Sequence, residues 1–503
     1  MSAAPGHEPL LAAFGRAGVL ADGDLAVAGT LSRLTGERTP EVVLAAALAV
    51  RAPRLGHVCV DLDAVAGHTV AEPAAAGAPA PTALPWPAPA AWRDMLAASP
   101  AVAVEPAGGR PGSPGQGGAA DAGAARPLVL AGSRLYLDRY WRYERRLAAA
   151  LVARVAGPRA DVDPAAVRAA IERLLPPAEP DGDGPDRQRL AVAAGATGAL
   201  TVVTGGPGTG KTTVVARLLA VLLALAEDPA RPPRLALAAP TGKAAARLDE
   251  SLRDAVAGLG LDAGLGAALA GVRARTLHRL LGSRGPGRTR FRHDAANPLD
   301  VDAVVVDEAS MVPLALMAKL VDAVPASARL VLLGDRDQLA SVEAGAVLGD
   351  VCGPEEAAEA PRSPAARQRL AVASGRPVPG GEADAPGVGD AIVRLTRFHR
   401  FGADSAIGRL AAAIRGLDED PAPALAVLAD DADEGAVRWR GDEAGVRAAL
   451  AEAAEVYAEV AAHAAAGRAT EALAGLDRCR VLCAPPIWIA SLRSQRRHFL
   501  MCS

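Results

Sequence analysis

The chain has 503 residues, enough for two to four domains, and half of them are hydrophobic, so sizeable cores can form although only 3% are aromatic. A net charge of −3 neither indicates nor excludes nucleic-acid binding, because an arginine-lined groove can lie on an acidic protein. No apolar stretch reaches the roughly 18 residues of a membrane span, and no signal-peptide pattern is present. The five cysteines are scattered. We therefore expect a cytoplasmic protein with free thiols and no membrane association.

Residues 1–155 predict a largely helical N-terminal domain without a catalytic pattern. Apolar residues recur at helical spacing in its first 50 positions. A stretch rich in Ala, Pro and Gly follows at 71–126 and is expected to be an insert. A hairpin pattern at 127–137 and a helix complete the domain. We expect a connecting helix and a linker at 156–185.

Residues 205–213 match the phosphate-binding loop pattern G-x-x-x-x-G-K-[ST]. An apolar strand pattern at 200–204 precedes the loop and a helical pattern follows it, which argues against a chance match in a glycine-rich chain. Backbone N–H groups of such a loop surround phosphate oxygens at the positive end of the helix. Lys211 can reach the β- and γ-phosphates, and Thr212 can ligate Mg²⁺. The predicted ATP and Mg²⁺ site comprises Gly205, Gly206, Pro207, Gly208, Thr209, Gly210, Lys211, Thr212 and Thr213.

Further strand patterns at 234–239, 302–307 and 329–334 alternate with helices, which predicts a parallel α/β sheet. The second of these ends in two carboxylates: Asp307 can hold Mg²⁺, and Glu308 can polarise an attacking water. Gln338 follows the third and can bond the γ-phosphate. An ordinary polar strand end is the alternative in both places.

Two other segments can contact nucleic acid. Residues 240–243, which follow the strand at 234–239, offer a hydroxyl, backbone N–H groups and the charge of Lys243 to a phosphate. Thr276 and His278 follow a basic stretch. A lone histidine is more often a packed or capping residue, and both interpretations of His278 stay open on spacing alone.

The order of these elements resembles superfamily 1 DNA helicases, and most closely the RecD subunits of RecBCD-type helicase–nucleases (exodeoxyribonuclease V). The resemblance covers most of residues 5–484. It includes residues 186–188 before the phosphate loop, 307–310, 334–339 and 397–401. Residues 56–62 and 135–141 also match, which favours these subunits over other helicases of the superfamily.

The resemblance implies a P-loop NTPase motor with RecA-like domains that moves 5′ to 3′ on single-stranded DNA at duplex ends, in double-strand break repair and recombination. It implies RecB-like and RecC-like partners, with the N-terminal domain docked on the partner subunit. The sequence shows no clustered acidic metal site suited to a nuclease, so nuclease activity is expected in a partner. By the same resemblance Gln188 reads adenine, and an arginine approaches the γ-phosphate from a second motor domain. The catalytic residues are then Lys211, Asp307, Glu308, Gln338 and Arg400. The residues for DNA contact are Pro240, Thr241, Gly242, Lys243, Thr276 and His278.

The first motor domain is expected at 186–352, a low-complexity linker at 353–390, and the start of the second motor domain at 391–484. Two further motifs of that second domain are not found, and residues 485–503 differ in composition from the chain before them. We expect a frameshift or a truncated gene, with a divergent end as the alternative. Two other hypotheses stay open: a P-loop ATPase regulator without helicase action, and an inactive fragment that keeps ATP binding and docking. The acid pair, Gln338 and Arg400 favour a hydrolysing motor.

Overall fold

The computed structural model describes most of the chain, and the chain divides into two compact units, Met1–Arg400 and Phe401–Ser503. Among the described residues, no helix combines the length and the apolar character that crossing a membrane requires. The described residues are 8–69, 80–105, 126–157, 162–175, 186–226, 228, 231–283, 285, 290–336, 338, 344–345, 347–353, 359–397, 405–415, 420–429, 436–440, 442–482 and 501–502.

The N-terminal part of the first unit packs helices against a four-stranded sheet. The strand order is β1-β4-β3-β2, with β2 parallel to β3 and the other pairs antiparallel. The core contains Phe14, Leu44 and Trp92, and the Trp92 indole N–H donates to the Glu41 carbonyl at 2.8 Å. The elements are α1 (Glu8–Arg16), α2 (Asp22–Thr35), α3 (Pro40–Arg51), β1 (Cys59–Asp61), α4 (Val65–His68), α5 (Pro89–Ala98), β2 (Val102–Glu105), β3 (Leu128–Ala131) and β4 (Arg134–Leu137).

The expected helices and the hairpin at 127–137 are present, but the sequence did not predict β1 and β2. The expected insert at 71–126 contains α5 and β2, so it is not wholly irregular. The reason is that β2 is a short strand whose described partner, β3, follows it in the chain only after residues 106–125, which are outside the described part. Local composition does not reveal such a pairing.

The rest of the first unit is a six-stranded parallel sheet with the strand order β10-β5-β9-β8-β6-β7. Its elements are α6 (Asp138–Ala156), α7 (Pro164–Leu174), α8 (Arg187–Thr197), β5 (Leu200–Gly205), α9 (Lys211–Ala224), β6 (Leu235–Ala239), α10 (Gly242–Ala257), α11 (Ala263–Gly271), β7 (Ala274–Thr276), α12 (Leu277–Leu280), β8 (Ala303–Val306), α13 (Leu314–Ala323), β9 (Arg329–Gly334), α14 (Val347–Cys352), α15 (Pro364–Ser374) and β10 (Ile392–Leu395).

Helices cover both faces of this sheet, so its central strands are apolar on both sides. Successive residues of β9 alternate between the two cores: Val331 and Leu333 pack with α7–α11 and α15, whereas Leu330 and Leu332 pack with α6, α13 and α14. All strands are parallel, so their carboxyl ends lie along one edge. That edge carries the candidate functional residues.

The structure differs from the expected domain boundaries at three places. Helix α6 packs on α13 and contributes Leu147 and Leu151 to the core of the parallel sheet, although it was assigned to the N-terminal domain. Helix α15 lies inside the expected linker at 353–390, with Leu370 buried. Strand β10 pairs in parallel with β5, so it completes the first sheet instead of beginning a second one. A four-residue strand whose partner lies nearly 200 residues earlier gives no local signal of the sheet to which it belongs.

The described part of the second unit is mostly helical, and it contains no multi-stranded parallel sheet, so the α/β domain expected at 391–484 is not observed there. Helices α18 and α19 pack on each other, and β11 pairs antiparallel with β12. Its apolar positions are mostly alanine, a strong helix former. The elements are α16 (Ala406–Arg415), α17 (Ala422–Ala429), α18 (Glu443–Ala465), α19 (Ala469–Arg478), β11 (Val481–Leu482) and β12 (Met501–Cys502).

Candidate nucleotide-binding site

The phosphate loop joins the end of β5 to the start of α9. Gly208 and Gly210 have φ values of 79° and 87°, in the left-handed region that favours glycine. A Cβ at Gly205 would lie 2.8 Å from the Leu395 carbonyl oxygen of β10, so only glycine fits where these two strands end. The glycines therefore allow a tight loop at the N-terminus of α9, where backbone N–H groups and the helix dipole favour an anion.

Lys211 lies over this loop. Its Nζ donates to the carbonyls of Gly205 at 2.5 Å and Gly206 at 3.2 Å. The Thr209 hydroxyl also donates to Gly206, at 2.8 Å. The ammonium group is thus held at the mouth of the loop, and Thr212 and Thr213 lie in the first turn of α9 directly beside it.

The acid pair follows β8, and Glu308 has an unusual backbone. Its φ of 52° makes it the one non-glycine residue with positive φ in the part of the chain that the structure describes. Such a conformation costs on the order of 1–3 kcal/mol and is concentrated at functional sites. The Glu308 backbone N–H donates to Asp307 Oδ1 at 2.9 Å, which holds the Asp307 carboxylate against the backbone of its neighbour.

The pKa values of both carboxyl groups are raised. Burial raises the pKa of Asp307, and the Glu308 N–H and the Lys211 charge partly oppose this. Burial, and then the charge of Asp307, raise the pKa of Glu308, which Lys211 partly offsets. The structure therefore brings Lys211, Asp307 and Glu308 into one electrostatic environment. A raised pKa suits a carboxylate that accepts a proton from water near neutral pH.

Gln338 is connected to the acid pair through Ser310. The Ser310 hydroxyl donates to Gln338 Oε1 at 3.2 Å, which links the segment after β8 to the segment after β9. A Cβ on Gly334, at the end of β9, would lie 3.0 Å from the Ser310 nitrogen. Ser310 lies within the motif at 307–310, but the sequence alone assigns it no role. Its contact with Gln338 depends on the neighbouring positions of β8 and β9 in the sheet.

Gln188 contacts the phosphate loop from helix α8. Its Nε2 donates to the Thr209 carbonyl at 3.2 Å, and Arg217 of α9 donates to its Oε1 at 2.7 Å. Both ends of the amide therefore have partners. Sequence reasoning missed Arg217, because an arginine within an apolar helix carries no motif that identifies this contact.

The residues predicted to contact DNA lie on the outer strands of the same edge. Thr241 caps α10 by accepting the Ala244 N–H at 3.1 Å, and Thr276 caps α12 by accepting the Arg279 N–H at 3.2 Å. Gly242 and Lys243 are exposed, and Pro240 is half-buried. His278 is also exposed and meets the ring of Phe291 edge-on at 5.6 Å. Since β6 and β7 follow β8 in the sheet order, the acid pair lies between the phosphate loop and this surface.

The predicted Mg²⁺ ligands offer the right chemistry. The Thr212 hydroxyl and the Asp307 carboxylate are hard oxygen donors, and a cation would compensate the burial of Asp307. Within the described ranges, no group of three or more His, Cys, Asp and Glu side chains could hold a metal by itself. Mg²⁺ in such sites takes one or two protein oxygens and completes its shell with phosphate and water. Arg400, the remaining predicted catalytic residue, lies outside the described residues.

A parallel sheet with a phosphate loop after one strand and an acid pair after another defines a P-loop NTPase. Comparison with known proteins agrees: residues 188–344 match the model of an AAA domain, and residues 16–136 match the N-terminal domain of the RecBCD enzyme subunit RecD.

Two curated relatives match nearly the whole chain. The RecBCD enzyme subunit RecD of Mycolicibacterium smegmatis is 41% identical over 94% of this chain and 71% of its own length. The RecD subunit of Mycobacterium tuberculosis is 42% identical over 94% of this chain and 69% of its own length. The ATP-dependent RecD2 DNA helicase of Deinococcus radiodurans is 35% identical over 44% of this chain and 26% of its own length. The chain belongs to the RecD family of RecBCD enzyme subunits.

Proposed function

We propose that this chain is the ATP-dependent DNA helicase motor of a RecBCD-type exodeoxyribonuclease V, in which it works with RecB-like and RecC-like subunits in the cytoplasm. It moves 5′ to 3′ on single-stranded DNA at duplex ends during double-strand break repair and recombination. The observation that carries the proposal is the meeting of the phosphate loop, the strained acid pair and Gln338 at one sheet edge. The kinship with a RecD2 protein named as an ATP-dependent DNA helicase supports it.

In this proposal, each residue at the carboxyl edge of the parallel sheet has a separate role in ATP hydrolysis. The loop at 205–213 holds the phosphates, and Gln188 contacts the adenine. Glu308 accepts a proton from the attacking water, which its raised pKa favours. Gln338, oriented by Ser310, contacts the γ-phosphate and registers its loss. Thr212 and Asp307 would hold Mg²⁺, which supplies positive charge to the phosphates when bound.

Four further residues support the catalytic and DNA-binding roles. Arg400 is proposed to supply positive charge at the γ-phosphate. Thr241, Lys243 and Thr276 are proposed to contact successive phosphates of the DNA strand, next to the acid pair in the sheet order. Because the backbone of single-stranded DNA is contacted, binding tolerates different sequences and weakens steeply with salt.

Variants at two lysines test the division between the ATP and DNA sites. Lys211→Ala is expected to remove most ATP turnover and to leave single-stranded DNA binding intact. Lys211→Arg is also expected to be impaired, because a planar guanidinium does not replace a compact ammonium. Lys243→Ala is the matched control, and it should weaken DNA binding while ATP binding persists. Unchanged turnover in Lys211→Ala contradicts the assignment of the ATP site.

A second experiment tests the motor itself. The chain is combined with its RecB-like and RecC-like partners, with any 3′-to-5′ motor in the complex disabled, and duplex DNA with a 5′ tail is supplied with ATP. Unwinding that Lys211→Ala abolishes supports the proposal. If the folded chain does not bind single-stranded DNA even at low salt, the regulator hypothesis is favoured instead.

A further inference from the structure

We propose that the turn at Gly56–Val58, in the N-terminal part, positions the strand ends that carry the acid pair and Gln338, so that the N-terminal part sets the rate of ATP hydrolysis. The inference rests on the proposed ATPase function. It adds positioning residues that lie outside the parallel sheet and contain no catalytic motif.

Residues 344–345, which follow Gln338 in the chain, are held between two neighbouring segments. We call this arrangement the clamp. The Gly345 N–H donates to the Gly56 carbonyl at 3.1 Å, and the Leu314 N–H donates to the Ala344 carbonyl at 3.1 Å. Gly345 has a φ of 101°, and a Cβ there would lie 2.7 Å from Leu314 Cβ and 3.3 Å from Val58 Cγ1. The segment is therefore held tightly between the N-terminal turn and the first residue of α13.

Close contacts extend from this clamp to the carboxyl edge of the parallel sheet, where the candidate functional residues lie. Helix α14 begins just after the clamp, and its buried Leu348 lies so close to Gly334 that a Cβ there would overlap it. Gly334 in turn meets Ser310, whose hydroxyl bonds Gln338. Continuous close contacts thus connect Gly56–Val58 with the ends of β8 and β9.

The N-terminal sheet also acts on α14 electrostatically. Burial raises the pKa of Asp350 on α14, and the charge of Arg134 on β4 partly opposes this rise. Arg134 acts in the same way on Glu144 of α6, whose carboxylate accepts a hydrogen bond from the Tyr136 hydroxyl at 3.5 Å. The charge of Arg134 therefore acts on α14, in addition to the packing of Val58 against Gly345 just before that helix.

These contacts affect hydrolysis more than ATP binding for a geometric reason. Dense packing resists gradual deformation, so a displaced turn must move Leu314 or Leu348, and with them Ser310 and Gln338. The phosphate loop follows β5 and is not part of this contact path. The path ends at the groups proposed to activate water and to contact the γ-phosphate.

The test uses the full chain with Val58→Ala, which removes the side-chain contact with Gly345. We expect kcat of DNA-stimulated ATP hydrolysis to fall about threefold to tenfold, the range typical of mutations along a coupled contact path. The Kd for ATP should stay unchanged. Val58→Ile, which keeps both γ-carbons, should turn over ATP as the wild type does. Leu55→Ala alters an exposed residue just before the turn and should also have no effect.

Hydrogen exchange supplies the independent measurement. The Gly345 amide, bonded to Gly56, should exchange faster in Val58→Ala than in Leu55→Ala. Equal kcat in Val58→Ala and wild type overturns the inference, and so does a lower kcat without faster exchange at Gly345. A wild-type chain that does not hydrolyse ATP refutes the proposed function itself, which is a different result.

Discussion

Glu308 departs from ordinary behaviour both in its backbone and in its charge. Its left-handed φ of 52° is strained for a side chain with a Cβ, and its pKa is raised by burial and by the charge of Asp307. A residue that served only to end a strand would gain nothing from either property. Both properties support the proposed role of Glu308 as the base that accepts a proton from water.

Glu308→Gln is predicted to retain ATP binding and to lose hydrolysis. The amide has the same shape but cannot accept a proton from water, so kcat should fall by about 10²- to 10⁴-fold. Steady-state turnover together with titration of a fluorescent nucleotide measures both quantities. Glu172→Gln, an exposed change on α7, is the control and should leave turnover unaltered. Near-normal kcat in Glu308→Gln would show that another group is the base.

Two threonines that follow or end the outer strands β6 and β7 combine a structural role as helix caps with a proposed role in DNA binding. Thr241 begins α10 and Thr276 begins α12, and each side-chain oxygen accepts a backbone N–H. Because capping uses the oxygen as an acceptor, the hydroxyl proton is still available to a phosphate. The two roles are therefore compatible, and they can be separated by substitution.

Three variants at Thr241 separate these roles. Thr241→Ala should cost about 1 kcal/mol of stability through the lost cap. Thr241→Asp keeps a good cap, so its stability should be close to that of the wild type, but its charge repels phosphate and DNA affinity should fall most. Thr241→Ser is the control that keeps both properties. Thermal unfolding and single-strand binding at several salt concentrations measure them. If Thr241→Asp binds DNA as tightly as wild type, Thr241 only caps the helix.

The contact of strand β4 with helix α6 has a predictable pH dependence. Burial raises the pKa of Glu144, the Arg134 charge only partly opposes this, and the charge of Asp350 adds to the rise. Because the pKa of Glu144 is raised in the folded state, the contribution of this group to stability is greatest at acidic pH. That contribution is lost as pH rises through the folded-state pKa.

Glu144→Gln should therefore stabilise the chain at pH 8 relative to wild type, since it removes a buried charge. The advantage should disappear as pH falls towards the ordinary glutamate pKa of about 4.3, where wild-type Glu144 is protonated. Thermal unfolding from pH 4.5 to 8 measures the difference, with Glu172→Gln as the control. A difference in Tm that does not grow with pH would contradict the prediction.

At the scale of the whole molecule, the contiguous parts of the site were predictable and the assembled parts were not. Loop 205–213 and the acid pair each consist of neighbouring residues, so the sequence pattern alone is enough to propose them as candidate site residues. The contacts of Gln188 with Arg217 and of Ser310 with Gln338 exist only because distant strands and helices are adjacent. Strand β10 was predicted to begin the second motor domain. It belongs to the first sheet because it pairs with β5, which is distant in the sequence.

The two units differ in how much apolar surface they bury. The strands of the parallel sheet bury Val and Leu side chains on both faces. In the described part of the second unit the buried hydrophobic residues are all alanine, whereas several Leu side chains of α17–α19 are exposed. A fully buried Leu contributes roughly 1.5–3 kcal/mol and an alanine much less, so the second unit should open more easily.

Hydrogen exchange of the full chain should therefore show two levels of protection. Amides of α18 and α19 are expected to exchange about a hundredfold faster, or more, than those of β5, β8 and β9, because their opening exposes less apolar surface. Mass spectrometry of peptides from both regions at constant pH measures this. ATP should increase protection in loop 205–213 and the start of α9, which provides an internal control for a folded first unit. Equal protection of α18 and the central strands would mean that the second unit has a core that its alanines do not explain.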